Sequence, residues 1–543
     1  MVAASHAAIA VVQGNRPARL ADAAACTLLA ALALLAALTF RDYGLGWDDF
    51  THAQYGDLLL KLYGSGLRDT RALSFVNLYY YGGGFDMASA LAAKVLPFDL
   101  FETRRLVGAA VGLIGLIATW RVARRIGGPV AGLVALALLA ACPLYYGHMF
   151  INPKDAPFAA AMAVFLLGLV RLLENYPRPS KTALLIVGAG FGCAIGSRIL
   201  AGFGAVAAAA AIASLFAIEA RETSLRFAAR RLGGILLALV PAAVLATALM
   251  ALLWPWSIAS PLNPLRTVAY FSHFFEEPWR ELFAGQLLKP PDMPRTYVLV
   301  LLALKLPVIL LVLGCSGACL TLFEAVRGAA PARSRAIGMA VVLAAVLPVL
   351  AAVLTRPAMY NGVRHFVFVV PPLAVLGGLA AARVAGQVVR LRPVLFALLA
   401  GGLALPVVEM ARLHPYEYVY FNELAGGIRS AQSRYMLDYW GLSLKQAALA
   451  LKQAAPSDKP STVAVCGPHP PASIALGPNF HLTWDARGAD YALSLGVFYC
   501  SKLDAPLLAD VQRDGVVFAR VYDLREHHEQ TLFATPPLEH GPN

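Results

Sequence analysis

Residues 23–50, AAACTLLAALALLAALTFRDYGLGWDDF, combine a long apolar run with two adjacent acids. The apolar part has the length of a transmembrane helix, which needs about 17 to 25 residues. Arg16 and Arg19 precede the run and no small-residue cleavage site follows it, so we expect a retained helix with a cytoplasmic N-terminus. Asp48 and Asp49 are then predicted to lie just beyond the opposite face of the membrane.

The composition of the whole chain is typical of a membrane protein. Of its 543 residues, 59% are hydrophobic and 14% are charged, whereas about 25% of the residues in soluble domains are charged. The mean hydropathy is +0.64. The net charge of +13 does not indicate a nucleic-acid ligand, because the basic residues form short clusters between apolar runs. We therefore predict a polytopic α-helical membrane protein that binds no nucleic acid.

The apolar runs predict about eleven membrane-spanning helices. When these spans alternate in direction, the arginine clusters between them fall on one side, which the positive-inside rule assigns to the cytoplasm. A further span at Gly84–Pro97 would break this pattern, so we expect a short helix there at the outer interface. An odd number of spans puts the C-terminus outside. The predicted spans are 23–40, 105–121, 129–147, 156–173, 182–198, 199–218, 233–254, 296–322, 337–354, 366–385 and 394–411.

The spans divide the chain into a membrane domain, residues 1–411, and a C-terminal domain, residues 412–543. The C-terminal part is more polar, with short apolar runs of strand length and a helical pattern at Ser443–Gln453, which predict a small extracytoplasmic α/β domain. Cys466 and Cys500 are its only cysteines and form either a disulfide or two buried thiols. The predicted outer loops of the membrane domain are 41–104, 148–155, 255–295 and 355–365.

A third acid, Asp155, begins the helix that follows the second outer loop. Pro157 stands in the first turn of that helix, so an ordinary role at a helix N-terminus would explain the acid. Two outer loops nevertheless present carboxylates at helix ends. Ionisable groups at membrane depth are costly and usually functional, so we expect a shared site for these acids and the nearby polar residues His52, His148, Asn152 and Lys154.

Positive charges at the outer face break the orientation rule and need a physical reason. Arg198 ends the fifth span, and Arg356, Arg364 and His365 flank a late outer turn. One reason is a phosphate or pyrophosphate ligand, since guanidinium binds phosphate oxygens bidentately. The other is snorkelling, or pairing with the loop carboxylates. Lys305, in the outer half of a span, belongs to the same candidate group.

The segment Tyr79–Phe85, YYYGGGF, is open to two interpretations. Glycines let the backbone approach a ligand closely, and aromatic faces suit sugar rings. Tyrosines also anchor proteins at membrane interfaces. Tyr81 is therefore a candidate for substrate contact or for anchoring.

Together these motifs resemble the GT-C membrane glycosyltransferases. The residues that carry the resemblance are Trp47-Asp48-Asp49, Asn152-Pro153-Lys154-Asp155, Arg198 and Arg364-His365. Within GT-C the chain is most similar to the branch of the protein O-mannosyltransferases, the aminoarabinose transferases of lipid A and the galacturonosyltransferases of the lipopolysaccharide core. The resemblance covers about residues 20–410, and its short motifs do not name a sugar.

The resemblance implies an inverting transfer of a sugar from a polyprenyl-phosphate carrier to a glycolipid, such as lipopolysaccharide, or to a protein. The reaction would take place at the periplasmic face of a bacterial inner membrane. Asp48 would act on the acceptor, and Asp49 stands where relatives usually have Glu, so the identity of the base stays open between them. Asp155 would orient the acceptor or help hold a divalent metal ion, which only some relatives need; no other cofactor is implied. Donor phosphate contacts are expected from Lys154, Arg198, Arg364 and His365, and further substrate contacts from His52, Tyr81, Asn152, Lys305 and Arg356.

Two other classes of protein handle lipid-linked sugars. A transporter or flippase would usually have ionisable groups near the membrane midplane and internal repeats, and neither is visible in this sequence. An O-antigen ligase or polymerase would be expected to have a large outer loop rich in Arg and His, without an acid pair after the first helix. We therefore predict a glycosyltransferase and keep these two classes as alternatives.

Overall fold

The computed structural model describes residues 2–272, 280–455 and 459–534, so residues 273–279 of the predicted loop 255–295 lie outside this description. Helices fill the membrane domain, and a small α/β unit follows. The helices are α1 Val2–Thr39, α2 Asp49–Gly64, α3 Gly84–Ala92, α4 Leu100–Ala140, α5 Pro143–Ile151, α6 Asp155–Glu174, α7 Lys181–Ile195, α8 Gly202–Glu222, α9 Leu225–Ala238, α10 Val240–Leu253, α11 Trp256–Ala259, α12 Asn263–Ser272, α13 Tyr297–Lys305, α14 Val308–Arg327, α15 Ala332–Thr355, α16 Val370–Gln387, α17 Arg392–Leu413, α18 Gly427–Ala431, α19 Leu444–Ala454 and α20 His469–Leu476. The strands are β1 Glu281–Phe283, β2 Gln286–Leu288, β3 Ser461–Cys466, β4 Phe480–Thr483, β5 Tyr491–Leu495, β6 Leu507–Arg513 and β7 Val516–Asp523.

Nine helical segments within the described ranges are long and apolar enough to cross a membrane. One of them, α4, joins two predicted spans across a kink at Gly128. This glycine has a φ of 83° and stands directly before Pro129. The predicted span 182–198 forms α7, an apolar helix shorter than the nine. The second half of α4 and α7 account for the difference between nine segments and the predicted number, so the polytopic helical fold is confirmed.

The predicted span 129–147 is wrong at its end. Helix α4 ends at Ala140, and the separate helix α5 starts at Pro143, because proline is favoured in the first turn of a helix. The predicted loop 148–155 is correspondingly shorter, since α5 continues to Ile151.

The predicted span 296–322 is interrupted. Helix α13 ends at Lys305, and α14 begins at Val308 beyond Pro307. Proline lacks an amide hydrogen and disfavours the helical conformation of the residue before it. The interruption leaves backbone carbonyls of the membrane domain available to another segment of the chain.

Helices α6 and α16 lie at the centre of the membrane domain. In their apolar windows 83% and 72% of the residues are buried, against 11% in Val389–Leu413, which contains α17. Small residues allow close helix contact: a side chain at Gly317 of α14 would collide with the carbonyl of Leu376 in α16. The central helices therefore hold their ends in a fixed arrangement.

The long predicted loops contain ordered elements. Helix α3 confirms the short helix expected within Gly84–Pro97. The Tyr80 ring stacks on that of Tyr270 in α12, with a centroid distance of 4.1 Å, and Trp254 donates a hydrogen bond of 2.8 Å to the carbonyl of Tyr79. The two tyrosines are thus used to pack the first and third predicted outer loops together.

The C-terminal unit is the predicted α/β domain. Its five strands have the order β4-β3-β5-β7-β6, with β3 parallel to β4 and β5, and β7 antiparallel to β5 and β6. Cys466 and Cys500 form a disulfide between the end of β3 and the segment after β5.

The segment that joins the two domains is inserted into the membrane domain at the interruption between α13 and α14. The side-chain amide of Asn422 donates to the carbonyls of Ala303 and Leu306, at 2.7 and 2.8 Å. Lys305 donates to the carbonyl of Tyr418 at 2.9 Å. The carbonyls that the interruption between α13 and α14 leaves available therefore accept hydrogen bonds from Asn422, which fix the start of the C-terminal domain against the membrane domain.

Candidate active site

Acidic and basic side chains from four parts of the chain meet where several helices begin on the predicted outer side. Asp48 immediately precedes α2, Lys154 and Asp155 stand at the start of α6, Arg198 precedes α8 and Arg364 precedes α16. One ion pair joins Asp48 to Lys154, two others join Asp155 to Arg198 and Arg364, and the chain neighbours Lys154 and Asp155 bring both groups into one cluster. The structure therefore brings together the core of the predicted site.

Asp49 is fixed in a buried ion pair. Arg105 binds its carboxylate bidentately, at 3.0 Å to Oδ1 and 2.5 Å to Oδ2, and the amide of Gly46 donates to Oδ2 at 2.8 Å. Arg105 also donates to the carbonyl of Gly44 at 2.6 Å. The Asp49 side chain is only 2% exposed, so it anchors the loop before α2 and is not free to meet a substrate.

Asp48 has the opposite surroundings. Its side chain is 43% exposed, and its nearest cation, the ammonium of Lys154, lies 4.0 Å away. Partial desolvation favours the neutral acid, but the positive charges of Lys154 and Arg364 outweigh this effect and lower the pKa of Asp48. Asp48 is therefore an accessible carboxylate that is ionised at neutral pH.

Asp155 is held from several sides. Arg198 forms an ion pair with its Oδ1 at 2.7 Å, and Arg364 lies 3.6 Å from Oδ2. Asn152 donates to Oδ2 at 2.8 Å and accepts from the amides of Lys154 and Asp155 at 3.0 and 2.7 Å. Asn152 thus closes the start of α6, and Asp155 fixes the two arginines relative to each other.

The Tyr81 ring lies between two cations. The Lys154 ammonium is 4.5 Å from the ring centroid, and the Arg198 guanidinium is 5.4 Å away. Burial, with the charges of Arg198 and Arg364 nearby, lowers the pKa of Lys154 to about 8 although Asp48 opposes the change. The aromatic face keeps the cations close together without neutralising them.

The wall of the site near Arg364 includes a residue of the C-terminal domain. The guanidinium lies 5.0 Å from the ring centroid of Tyr360 and 5.1 Å from that of Trp440. His365 packs on Tyr360 with a centroid distance of 5.2 Å. Trp440 was not predicted as a site residue, because nothing in its local sequence indicates which distant segment it contacts.

Two predicted substrate contacts are used elsewhere. Lys305 is buried, and its ammonium binds the carbonyl of Tyr418 and lies 4.5 Å from the ring of Phe421. Arg356 donates to the carbonyl of Met293 at 2.8 Å. Both side chains hold chain segments in place, and their described contacts do not reach Asp48 or Asp155.

His52 belongs to a second buried cluster that the sequence did not reveal. Its Nδ1 lies 2.6 Å from Oδ2 of Asp86, and Arg104 donates to Oδ1 of Asp86 at 2.7 Å. Charged residues in the short apolar helix α3 and at the start of a span were signals that could have indicated Asp86 and Arg104. Their pairing depends on the contact of α2, α3 and α4.

Glu281 is another buried acid whose role the sequence did not reveal. It accepts hydrogen bonds from the Tyr297 hydroxyl at 2.8 Å and from the amides of Asn361 and Gly362 at 2.5 and 3.2 Å. Burial raises its pKa to about 7 in spite of these bonds. Asn361 and Gly362 have φ angles of 54° and 69°, so Glu281 supports a left-handed turn just before Arg364.

The acids and histidines do not form a metal-binding group. Within residues 2–272, 280–455 and 459–534, no three His, Cys, Asp or Glu side chains come together in a way that could hold a metal ion. Asp155, the acid predicted to help hold one, faces Arg198 and Arg364. Among the described side chains, the acid predicted to help hold a metal ion is thus paired with two arginines.

The fold and the site define a polytopic membrane protein with an accessible carboxylate beside fixed cations. Residues 88–247 match the family model described as dolichyl-phosphate-mannose-protein mannosyltransferase. This match runs from the middle of α3 to the middle of α10 and confirms the predicted resemblance to the GT-C glycosyltransferases for that part of the chain. No curated protein sequence matches the chain significantly.

The solved structures to which the chain is similar are distant from it in sequence. The chain is 17% identical to ArnT from Cupriavidus metallidurans bound to undecaprenyl phosphate, with 91% of this chain and 97% of that chain covered and a TM-score of 0.47. The chain is also 17% identical to ArnT from Cupriavidus metallidurans in the apo state, with 92% of this chain and 97% of that chain covered and a TM-score of 0.48. It is 13% identical to the archaeal oligosaccharyltransferase AglB from Archaeoglobus fulgidus in complex with an inhibitory peptide and a dolichol-phosphate. That match covers 87% of this chain and 69% of that chain, with a TM-score of 0.45.

Proposed function

We propose that this protein is an inverting glycosyltransferase that moves a sugar from a polyprenyl-phosphate carrier to an acceptor hydroxyl. The observation that carries the proposal is the accessible carboxylate of Asp48, with Lys154 4.0 Å away, in one cluster with Arg198 and Arg364. A base for the acceptor and cations for a phosphate are what such a transfer needs. The family match supports a lipid-phosphate-linked donor.

In the proposed reaction Asp48 takes the proton of the acceptor hydroxyl. The oxygen attacks the anomeric carbon and forms the new glycosidic bond, while the bond between that carbon and the phosphate oxygen breaks. The electron pair leaves with the polyprenyl phosphate, whose charge Lys154, Arg198 and Arg364 stabilise. Asp155 holds the two arginines in place for this role, so it acts on the phosphate through them.

The site is assigned to the periplasmic face of a bacterial inner membrane. The distribution of arginine clusters supports this orientation, since Lys and Arg are retained in the cytoplasm and the cluster around Asp48 lies on the opposite side of the predicted spans. The acceptor is a glycolipid, such as lipopolysaccharide, or a protein that reaches this face. The C-terminal domain would then be periplasmic, where its disulfide is stable.

The test is sugar transfer in membranes that contain the intact protein or Asp48→Asn, with a panel of polyprenyl-phosphate sugars. The released polyprenyl phosphate is measured. We expect the wild type to consume one donor and Asp48→Asn to be slower by roughly 10² or more. Near-native transfer by Asp48→Asn would show that Asp48 is not the base. Movement of the lipid across the bilayer without any donor consumption would instead indicate a flippase.

A further inference from the structure

His52 stands one helical turn after Asp48 on the same side of α2. The amide of His52 donates to the carbonyl of Asp48 at 2.9 Å, which is the first hydrogen bond of the helix. Asp48 itself has helical angles, with φ −86° and ψ −16°. Side chains four residues apart in a helix are neighbours, with about 5 to 6 Å between their Cβ atoms. We therefore expect the imidazole of His52 to neighbour the carboxylate assigned as the base, and the two groups interact electrostatically.

The contacts of His52 fix which ring nitrogen carries the hydrogen. The carboxylate of Asp86, held on its other oxygen by Arg104, can only accept a hydrogen bond from Nδ1. In the neutral imidazole Nε2 then carries a lone pair. The ring is 2% exposed, so it is fixed in this orientation.

The lone pair of Nε2 has no hydrogen-bond partner in the described part of the chain. An unsatisfied buried polar atom normally destabilises the fold, and native structures keep few of them without a role. Burial, with the nearby charge of Lys154, lowers the pKa of His52, although Asp86 and Asp48 oppose the change. The resting imidazole is therefore neutral.

We propose that Asp86 and His52 form a proton-relay pair behind Asp48, in which Nε2 of His52 receives the proton that Asp48 has taken from the acceptor hydroxyl. This inference rests on the proposed function. The proton leaves the acceptor oxygen, binds Asp48 and then passes to Nε2, so Asp48 becomes a carboxylate again. The resulting imidazolium pairs with the carboxylate of Asp86 and, after the products leave, returns its proton to solvent through the accessible carboxylate of Asp48.

The relay gives the proton a second acceptor, which is needed because the cations near Asp48 disfavour its protonated form. Lys154 and Arg364 lower the pKa of Asp48, which makes it a weak base and a poor place for a proton to stay. An imidazole ordinarily has a pKa about 2.5 units above that of an aspartic acid, and the carboxylate of Asp86 further favours the protonated ring. The buried position of Nε2 suits an internal proton acceptor, because such a group needs no direct contact with the substrate.

The test compares wild type, His52→Asn and His52→Ala in the same transfer assay. Asparagine keeps an N–H that can bind Asp86 and lacks the atom equivalent to Nε2, so kcat should fall by roughly 10² while KM for the donor stays near the wild-type value. In His52→Ala, added imidazole should restore part of the rate. His481 is an exposed histidine of β4, and His481→Asn is the control. It should keep the wild-type kcat and KM, and added imidazole should not change its rate.

The outcomes separate the relay from the proposed function. If wild type is active, Asp48→Asn is inactive and His52→Asn keeps near-native kcat, the relay is wrong and the glycosyltransferase assignment stands. If wild type consumes no donor, both are wrong. If His52→Asn does not fold into a monodisperse protein, the transfer rate of His52→Ala is measured with and without added imidazole. A higher rate with imidazole supports the relay, and an unchanged rate overturns it.

Discussion

Two neighbouring residues of the same type, Asp48 and Asp49, have different roles because only one of them meets Arg105. The bidentate pair removes Asp49 from solvent, whereas Asp48 keeps an accessible carboxylate beside Lys154. The Asp-for-Glu difference that the sequence raised at position 49 therefore concerns an anchoring residue. The structure favours Asp48 as the proposed base.

We predict that Asp49→Asn destabilises the folded protein. The substitution leaves the guanidinium of Arg105 buried without its charged partner, and breaking such a pair costs about 3 to 5 kcal/mol. A lower thermal unfolding temperature of the detergent-purified protein should be observed. Asp48→Asn is the matched control, since an exposed carboxylate contributes little to stability. Equal unfolding temperatures for the two variants would contradict the assignment of Asp49 as an anchor.

We also predict that donor binding weakens as the pH rises through about 8, where Lys154 loses its proton. The ammonium form attracts phosphate and the neutral amine does not, so KM for the donor should be constant below this pH and should rise above it. Lys154→Arg keeps its charge at all these pH values and should lack the change. A KM that rises equally in Lys154→Arg would assign the effect to another group.

At the scale of secondary-structure elements, the hairpin β1–β2 supports the turn that leads into Arg364. Glu281 satisfies the amides of Asn361 and Gly362 and the hydroxyl of Tyr297. Glutamine has one acceptor oxygen where the carboxylate has two, so one buried donor would lose its partner.

Glu281→Gln should therefore lower the free energy of unfolding by about 1 to 3 kcal/mol. It should also raise KM for the donor, because Arg364 is less well placed. Thermal denaturation and the transfer assay measure the two effects. Gln286→Ala, at an exposed position of the same hairpin, should change neither. A variant with native stability and KM would show that the turn does not depend on Glu281.

The predicted elements were correct where an apolar run forms one helix and wrong where the helix is divided next to Pro143 or Pro307, although Pro348 lies inside α15 without ending it. Spans such as 337–354 fall within helices, whereas 129–147 and 296–322 are cut at Pro143 and Pro307. A window of apolar residues does not reveal the break, because the lost hydrogen bond of a proline changes the backbone but hardly the hydropathy.

At the scale of the whole molecule, the C-terminal domain contributes to the site. Trp440 lies 5.1 Å from the guanidinium of Arg364, and its side chain packs closely against the backbone at Gly46, just before the acid pair. The Tyr439 hydroxyl lies 3.3 Å from Nε2 of His148. The domain is thus more than an attached module, because its first segment forms a wall beside the proposed phosphate-binding residues.

Trp440→Ala should therefore raise KM for the donor by about fivefold, which corresponds to the loss of roughly 1 kcal/mol of cation–π attraction. The fold of the five-stranded sheet should persist. Trp484→Ala is the matched control, since that tryptophan is 49% exposed in the same domain. A KM that changes equally in both variants would mean that the domain affects the site only through its own stability.

The sequence alone determined the membrane class, the position of most helices and the candidate acids and cations. Hydrophobic length, arginine distribution and residue type are local properties, and burial in lipid leaves the backbone few alternatives to a helix. The grouping of Asp48, Lys154, Asp155, Arg198 and Arg364 followed from placing their loops on one side of the spans, and the structure brings these five residues together.

Only the tertiary structure decided which charges neutralise each other. Asp49 meets Arg105 across 56 residues and His52 meets Asp86 across 34, so neither pair could be inferred from spacing. Lys305 and Arg356 have the residue types of phosphate ligands, but the folded chain directs them to backbone carbonyls. The effect of a charge depends on its distance from every other charge. Helix packing therefore decides that Asp48 stays accessible beside Lys154 and that Trp440 lies next to Arg364.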